Sequence, residues 1–257
     1  MDNENYNENL ENNDKSTVEI NTVEINTANI NTKKQNKFVQ WLLKDWKQYR
    51  KSQIIALNAL LCALVLLFAL IPINIGILSL AVIPIIAIII SAEVLGLLNG
   101  ILTGLFFGFV SFFNHLAKPG LLSPIFIQNP LITFFSRFMI PVVVYFSITL
   151  LNYLFGKIKY KSTKAQKITP KILDTLTYAV GGALGVITNT AGVLGFMFLF
   201  YGGNTLNTGI AITAEYITGI IATNSVVELA VCTAITPAIT LAVKKTLSLT
   251  MKKKSLN

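Results

Sequence analysis

The stretch Ile54-Ile-Ala-Leu-Asn-Ala-Leu-Leu-Cys-Ala-Leu-Val-Leu-Leu-Phe-Ala-Leu-Ile71 contains no charged residue. Such a run is a candidate membrane-spanning helix, because about 20 apolar residues cross the hydrocarbon core of a bilayer. Five further apolar stretches follow, at about residues 77–91, 94–113, 131–155, 176–201 and 217–243. The sequence therefore predicts an all-α membrane protein built as a bundle of six transmembrane helices.

Composition supports a membrane protein over a soluble one. Hydrophobic residues make up 53% of the 257 positions and charged residues only 13%, against about 25% charged residues in a typical soluble domain. The formal net charge of +9 comes from basic clusters beside the apolar stretches. Basic clusters in that position indicate topology and contact with anionic membrane lipid rather than nucleic-acid binding.

The basic clusters also predict the orientation of the bundle. Eighteen of the 21 Lys and Arg residues lie in residues 33–51, 157–171 and 244–254. With six spans, all three clusters fall on one side of the membrane, and the positive-inside tendency makes that side cytoplasmic. We therefore expect a multi-pass protein with both termini in the cytoplasm.

Four segments follow from changes in composition along the chain. Residues 1–36 are rich in Asn, Glu and Thr and are predicted to be a disordered tail. Residues 37–52 alternate aromatic and basic residues at helical spacing, as expected for an amphipathic helix in the membrane interface. Residues 53–245 hold the transmembrane domain, and residues 246–257 form a basic cytoplasmic tail.

Two charged residues lie well inside predicted spans. Arg137 and Glu228 are costly there, so each is a candidate functional residue. Asn189 and Asn224 are expected at a similar depth, and all four side chains could converge in one outward-opening pocket, with Thr188 beside Asn189. In such a pocket a guanidinium is well suited to a carboxylate. Alternatively, Arg137 and Glu228 form an ion pair that only holds the bundle together.

Sequence motifs for catalysis and for metal binding are missing. The chain contains no Walker A motif and no GxSxG motif. His115 is its only histidine, which is too few for a usual zinc site. We therefore predict no enzyme activity, no cofactor and no metal site, and transport would need energy from a partner protein.

Several motifs, in this order over about residues 53–243, resemble the substrate-binding (S) components of energy-coupling factor (ECF) vitamin transporters. These motifs are Ala59-Leu-Leu-Cys-Ala63, the glycines from Gly96 to Gly108, Asn129-Pro-Leu followed by Arg137, Gly185-Val-Ile-Thr-Asn-Thr-Ala-Gly-Val-Leu194, and the Asn224/Glu228 face.

The resemblance implies partners and roles for particular residues. A membrane coupling subunit and two ATP-binding subunits would assemble with the chain in a bacterial cell membrane, and Ala59 and Ala63 would contact the coupling subunit. Substrate would bind in a pocket that includes Asn129 beside the five polar residues of the predicted spans.

The identity of the substrate stays open at this level. Arg137 favours pantothenate or another carboxylated vitamin, while riboflavin or a further vitamin is the alternative. Two other classes of protein also fit six apolar helices: a membrane-embedded enzyme that acts on lipid or prenyl substrates, and a self-sufficient secondary transporter.

Overall fold

The computed structural model of the protein describes residues 49–70, 74–75, 78–79, 82–157 and 163–254. The predicted tail at residues 1–36 and nearly all of the predicted interfacial helix at residues 37–52 lie outside the described residues. The described helices are α1 (Lys51–Leu70), α2 (Val82–Ile90), a first π-helix (Ser91–Leu95), α3 (Leu97–Ala117), α4 (Ser123–Gln128), α5 (Pro130–Phe155), α6 (Thr163–Tyr201), α7 (Ala214–Ile220), a second π-helix (Ile221–Ser225) and α8 (Val226–Lys254).

Five helical segments are long and apolar enough to cross a membrane. They are Lys51–Ala69, Leu97–Ala117, Pro130–Phe155, Thr169–Tyr201 and Ala214–Leu249, the last combining α7, the second π-helix and α8. A shorter apolar helix covers Val82–Leu95. The helical membrane architecture is thus confirmed, while the count of six spans stays a prediction.

The second apolar stretch differs from the expected helix at its beginning. A short antiparallel hairpin, β1 (Asn74–Ile75) and β2 (Leu78–Ser79), pairs Asn74 with Ser79 and Ile75 with Leu78. The expectation that a helix begins near Ile77 is therefore wrong, since α2 begins at Val82. Gly76, between the two strands, and the β-branched Ile75 both disfavour helix and suit a hairpin.

Helix α2 lies at the centre of the bundle. All but one of its nine residues are buried, and its isoleucines contribute much of the main apolar core. The π-helix that follows ends at Gly96, whose φ of 90° is a conformation that favours glycine. This break separates α2 from α3 and fixes the position of the residues in the π-helix.

The glycines of α3 form a helix-packing surface. A Cβ atom on Gly100 would lie 2.7 Å from Cβ of Pro141, and one on Gly104 would lie 2.5 Å from the backbone oxygen of Arg137. Pro141 has no N–H to bond the carbonyl four residues earlier, which is that of Arg137. Helix α3 therefore approaches α5 closely at Pro141.

Helices α6 and α8 pack together in the same way. Gly182 of α6 leaves room for the carbonyl oxygen of Cys232, to which a Cβ atom would be only 2.8 Å away. Gly192 likewise fits against Ser136 of α5. Small residues thus allow α5, α6 and α8 to pack closely, and their polar side chains can face the same interior of the bundle.

Candidate functional site

The bundle has two ends, which we name by residues that lie there. The start of α5, the end of α6 and the start of α7 make up the Asn129 end. The first turns of α6 and the last turns of α8 make up the Lys244 end. Arg137, Asn189, Asn224 and Glu228 all lie in the half of the bundle nearer to Asn129.

Arg137 is a buried cation held between α3 and α5. Its Nη1 atom donates to the Thr133 carbonyl at 3.2 Å, and its Nη2 atom donates to Oγ of Ser111 at 3.1 Å. The guanidinium carbon lies 4.8 Å from the centroid of the Phe107 ring. The Nε atom is buried without a hydrogen-bond partner in the described structure, so the guanidinium keeps donor capacity for a further acceptor.

Glu228 is the second buried charge in this half. It lies in the first turn of α8, directly after the second π-helix, and only 9% of its surface is exposed. Within the part of the chain that the structure describes, neither Glu228 nor Arg137 forms an ion pair. Their direct pairing, the structural alternative considered above, is not found between these two described residues.

Two amide side chains carry further unpartnered oxygens. Asn189 on α6 and Asn224 in the second π-helix are both partly buried, and the Oδ1 atom of each lacks a hydrogen-bond partner among the described residues. By contrast, the Thr188 hydroxyl donates to the Leu184 carbonyl of its own helix at 2.7 Å. Of the two neighbours, Asn189 therefore has the polar group that is available to a ligand.

Asn129 belongs to a network at the end of the bundle. It is the N-cap residue of α5, and its Nδ2 atom donates to the Tyr201 hydroxyl at 3.2 Å. That hydroxyl in turn donates to Oε1 of Gln128 at 3.3 Å. Tyr201 and Gln128 were not among the predicted residues, although a tyrosine at the end of an apolar stretch is a usual sign of the membrane interface.

The predicted residues share a region but do not form one hydrogen-bonded network. In the described chain no hydrogen bond joins Arg137 to Asn129, Asn189, Asn224 or Glu228. What this half of the bundle holds is a set of buried polar atoms without partners: Thr133 Oγ1, Arg137 Nε, Asn189 Oδ1 and Asn224 Oδ1. Because each such atom costs about 1–3 kcal/mol when unpaired, this concentration is typical of a ligand site.

Two grooves open on the sides of the bundle, and both are apolar. One of about 640 Å³ lies between α1 and α3, where its lining includes Leu66, Phe109 and Phe113. The other, of about 280 Å³, lies between α6 and α8 and is bordered by Thr190 and Ser225, whose hydroxyls are 3.3 Å apart. None of the predicted substrate-binding residues lines either groove.

Helix α1 has one face toward the bundle and one away from it. Asn58 faces inward, where its Oδ1 atom accepts from the Thr103 hydroxyl at 2.8 Å. Ala59 and Ala63 are exposed, next to Leu60 and Leu67. The small residues of α1 thus form a surface free of contacts with the described bundle.

One buried acid was missed by sequence reasoning. Glu93 appeared to lie in the short gap between two apolar stretches, but it is 6% exposed within the first π-helix. Its Oε2 atom accepts from the Thr240 hydroxyl at 2.5 Å, and its Oε1 atom has no partner among described residues. The signal in the sequence is that only two residues separate the stretches, which is too few for a polar loop.

Five apolar helices long enough to cross a bilayer, packed around buried polar groups, fit a multi-pass membrane protein. The chain belongs to the substrate-specific components of ECF transporters, since the model of that family matches residues 53–240. No individual curated protein and no solved structure matches the chain significantly. Components of this family are transporter subunits rather than enzymes: they bind small substrates and work with coupling and ATP-binding subunits.

Proposed function

We propose that this chain is the vitamin-binding subunit of an ATP-driven uptake transporter in a bacterial cell membrane. It binds a small carboxylated vitamin, pantothenate or a related one, near the Asn129 end and delivers it through the coupling subunit. The proposal includes six spans with both termini in the cytoplasm, so that the Asn129 end faces outward. The flanking segments, residues 1–36, 37–52 and 246–257, then lie at the cytoplasmic face.

The main support for the proposal is that Arg137 is buried without a counterion among the described residues. Its guanidinium has a carbonyl and a hydroxyl as hydrogen-bond partners. A buried charge without a partner of opposite sign is strongly unfavourable. A substrate carboxylate supplies that charge and can use two guanidinium donors at once.

The amides support a substrate that also carries neutral polar groups. Asn189 and Asn224 each offer an unpartnered Oδ1 acceptor from a different helix, and Glu228 offers a further acceptor on α8. Hydroxyl and amide N–H groups of a vitamin such as pantothenate would suit these acceptors. Asn129 and Thr188 complete the proposed set of substrate-binding residues.

Helix Val82–Leu95 is the sixth span in this proposal, although it is shorter than the others. At 1.5 Å per residue it covers about 21 Å of a hydrocarbon core of about 30 Å. It can be short because α2 is buried in the protein, where non-helical backbone at membrane depth is tolerated. Labelling of single cysteines placed near each terminus in intact cells tests the orientation, and labelling by an impermeant reagent at either terminus would contradict it.

A binding experiment tests the substrate. The purified full chain in detergent is titrated by calorimetry with pantothenate and with pantothenol, which replaces the carboxylate by an alcohol. We expect tight binding of the acid and binding of the alcohol weaker by about 100-fold, since charge-assisted hydrogen bonds contribute about 1.5–3 kcal/mol each. If pantothenate does not bind, a panel of other carboxylated vitamins follows, and selective binding of riboflavin would contradict the carboxylate proposal.

The exposed alanines of α1 test the assembly. Leu at both Ala59 and Ala63 would fill the surface that lets the coupling subunit approach closely. We expect loss of co-purification with the coupling and ATP-binding subunits, while vitamin binding by the isolated chain stays unchanged. The matched control replaces the neighbouring exposed Leu60 and Leu67 by Ile, which keeps the surface apolar and similar in volume.

A further inference from the structure

Glu93 belongs to a cluster of buried oxygen atoms where the first π-helix, α6 and α8 meet. The cluster lies toward the Lys244 end, away from the residues assigned to the substrate. Its other members are Thr236 and Thr240, one turn apart on the same face of α8. All three residues are at least nine-tenths buried.

Two oxygens of this cluster have no hydrogen-bond partner in the described structure. They are Oε1 of Glu93 and Oγ1 of Thr236. Most helical threonines nearby behave differently: the hydroxyls of Thr177 and Thr233, for example, donate to the carbonyl one turn earlier in their own helix. The Thr236 oxygen is therefore available to a ligand. It lies in the buried interior, where an unpaired polar atom lowers the free energy of unfolding.

Neighbouring glycines of α6 make room for both oxygens. A Cβ atom on Gly181 would overlap Oε1 of Glu93, and one on Gly182 would lie 3.0 Å from Oγ1 of Thr236. Pro237 follows Thr236 in α8 and has no N–H to bond the Thr233 carbonyl, so that carbonyl lacks its usual partner within the helix. Backbone carbonyls that lack a helical partner coordinate alkali cations in membrane transporters.

Glu93 forms no ion pair among the described residues, although Lys244 interacts with it electrostatically. Lys244 is the nearest basic residue on α8, and its Nζ atom donates to the Tyr178 hydroxyl at 2.8 Å and lies 4.6 Å from the centroid of that ring. Asp174, one turn before Tyr178 on α6, is exposed. Thr240 is the hydrogen-bond partner of Glu93 among the described residues, and it is neutral.

We propose that Glu93, Thr236 and the adjacent backbone form a binding site for one monovalent alkali cation, for which sodium is the probe. A carboxylate, a hydroxyl and backbone carbonyls are hard oxygen ligands. One carboxylate balances one positive charge. The site ties the first π-helix to α6 and α8, and it is independent of the identity of the vitamin.

Thermal unfolding of the purified full chain in detergent tests this proposal. Sodium chloride replaces choline chloride stepwise at constant ionic strength and pH. We expect the unfolding temperature to rise with sodium and to be higher by about 3 °C at ten times the dissociation constant. Equal unfolding temperatures in sodium and choline would overturn the proposal, as would a dependence on pH with none on sodium.

Two variants and two matched controls locate the effect. Glu93→Gln should abolish the sodium response, and Thr236→Val should weaken the sodium affinity about tenfold. The controls are Glu215→Gln, an exposed acid at the opposite end, and Thr177→Val, a buried threonine of α6 whose hydroxyl bonds its own helix. If Glu93→Gln does not fold, Thr236→Val decides, and a sodium response of wild-type size in that variant would overturn the proposal.

Discussion

The two buried polar clusters, one toward each end of the bundle, differ in the sign of their charge and in the helices that hold them. Toward the Asn129 end, the cationic Arg137 lies between α3 and α5 and is accompanied by unpartnered amides on α6 and on the second π-helix. Toward the Lys244 end, the acidic residue Glu93 lies on the first π-helix and accepts from Thr240 of α8. The first arrangement suits an anionic organic ligand, and the second suits a small cation.

The two clusters also differ in the backbone conformation at Arg137 and at Glu93. Arg137 is on a regular helix that contains Pro141 one turn later. Glu93 is on a π-helix that ends at the positive φ of Gly96. π-Helical turns often occur at functional sites, and both clusters include one, since Asn224 lies in the second π-helix.

The largest expected effect comes from removing the charge of Arg137. Arg137→Met should lower the affinity for the carboxylated vitamin by about 100-fold or more, because at least two charge-assisted hydrogen bonds are lost. The same change should leave the unfolding temperature of the free protein unchanged or higher, since replacing an uncompensated buried charge by an apolar side chain is often stabilising.

Calorimetry and thermal unfolding of the same Arg137→Met preparation separate these effects. The sodium response serves as the internal control, because Glu93 is on a different helix and toward the other end. Equal losses of vitamin affinity and of sodium response would mean that the two clusters are one coupled system. An unchanged vitamin affinity would remove Arg137 from the site.

An effect of intermediate size is expected from a substitution that disturbs the close contact between α3 and α5 at Arg137. Gly104→Ala places a Cβ atom 2.5 Å from the Arg137 carbonyl, so α3 and α5 must move apart. Overpacking of this kind costs about 1–3 kcal/mol, and the shift also separates Arg137 from Ser111. We expect a lower unfolding temperature and an affinity for the vitamin that falls about tenfold.

The matched control for this contact is Gly195→Ala on α6, where the added Cβ atom meets nothing within 4 Å. That variant should keep wild-type affinity and gain slightly in stability, because alanine is the better helix former. If both alanine variants behave alike in unfolding and in titration, the close approach of α3 and α5 does not position Arg137.

Much of the architecture could be predicted from the sequence because the bilayer imposes a length on every apolar stretch. The membrane depth of Arg137 followed from its distance to the start of the fourth stretch. Its contacts with Ser111 and Phe107 could not be predicted, because hydropathy indicates the depth of a residue in the membrane but not which neighbouring helix its side chain faces. Glycines four residues apart on α3 are typical of a packing surface in lipid, although its partner, α5 at Pro141, needed the structure.

The region around Glu93 illustrates what such reasoning misses. An acid between two apolar stretches is expected in a loop, and neither a π-helix nor a break at Gly96 changes the hydropathy of the sequence. The hairpin at Asn74–Ile75 and Leu78–Ser79 was missed for a similar reason, since its isoleucine and leucine residues look like the start of a span. Backbone irregularities were the common cause: the first π-helix holds Glu93, and strand β2 contacts the second π-helix, which holds Asn224.

The smallest expected effect concerns the hydroxyl that joins Asn129 to Gln128. Tyr201→Phe removes one hydrogen bond of 3.2 Å and another of 3.3 Å while keeping the aromatic ring. Because neutral hydrogen bonds contribute only about 0.5–1.5 kcal/mol each and Tyr201 is partly exposed to water, we expect vitamin affinity to fall about threefold. Stopped-flow measurement should assign this loss to faster vitamin release, since the bond connects the start of α5 to the end of α6 at the mouth of the proposed site.

The control Tyr153→Phe changes an exposed tyrosine near the other end of α5 and should leave release unchanged. A loss as large as that of Arg137→Met would instead mean that the Tyr201 hydroxyl itself contacts the vitamin.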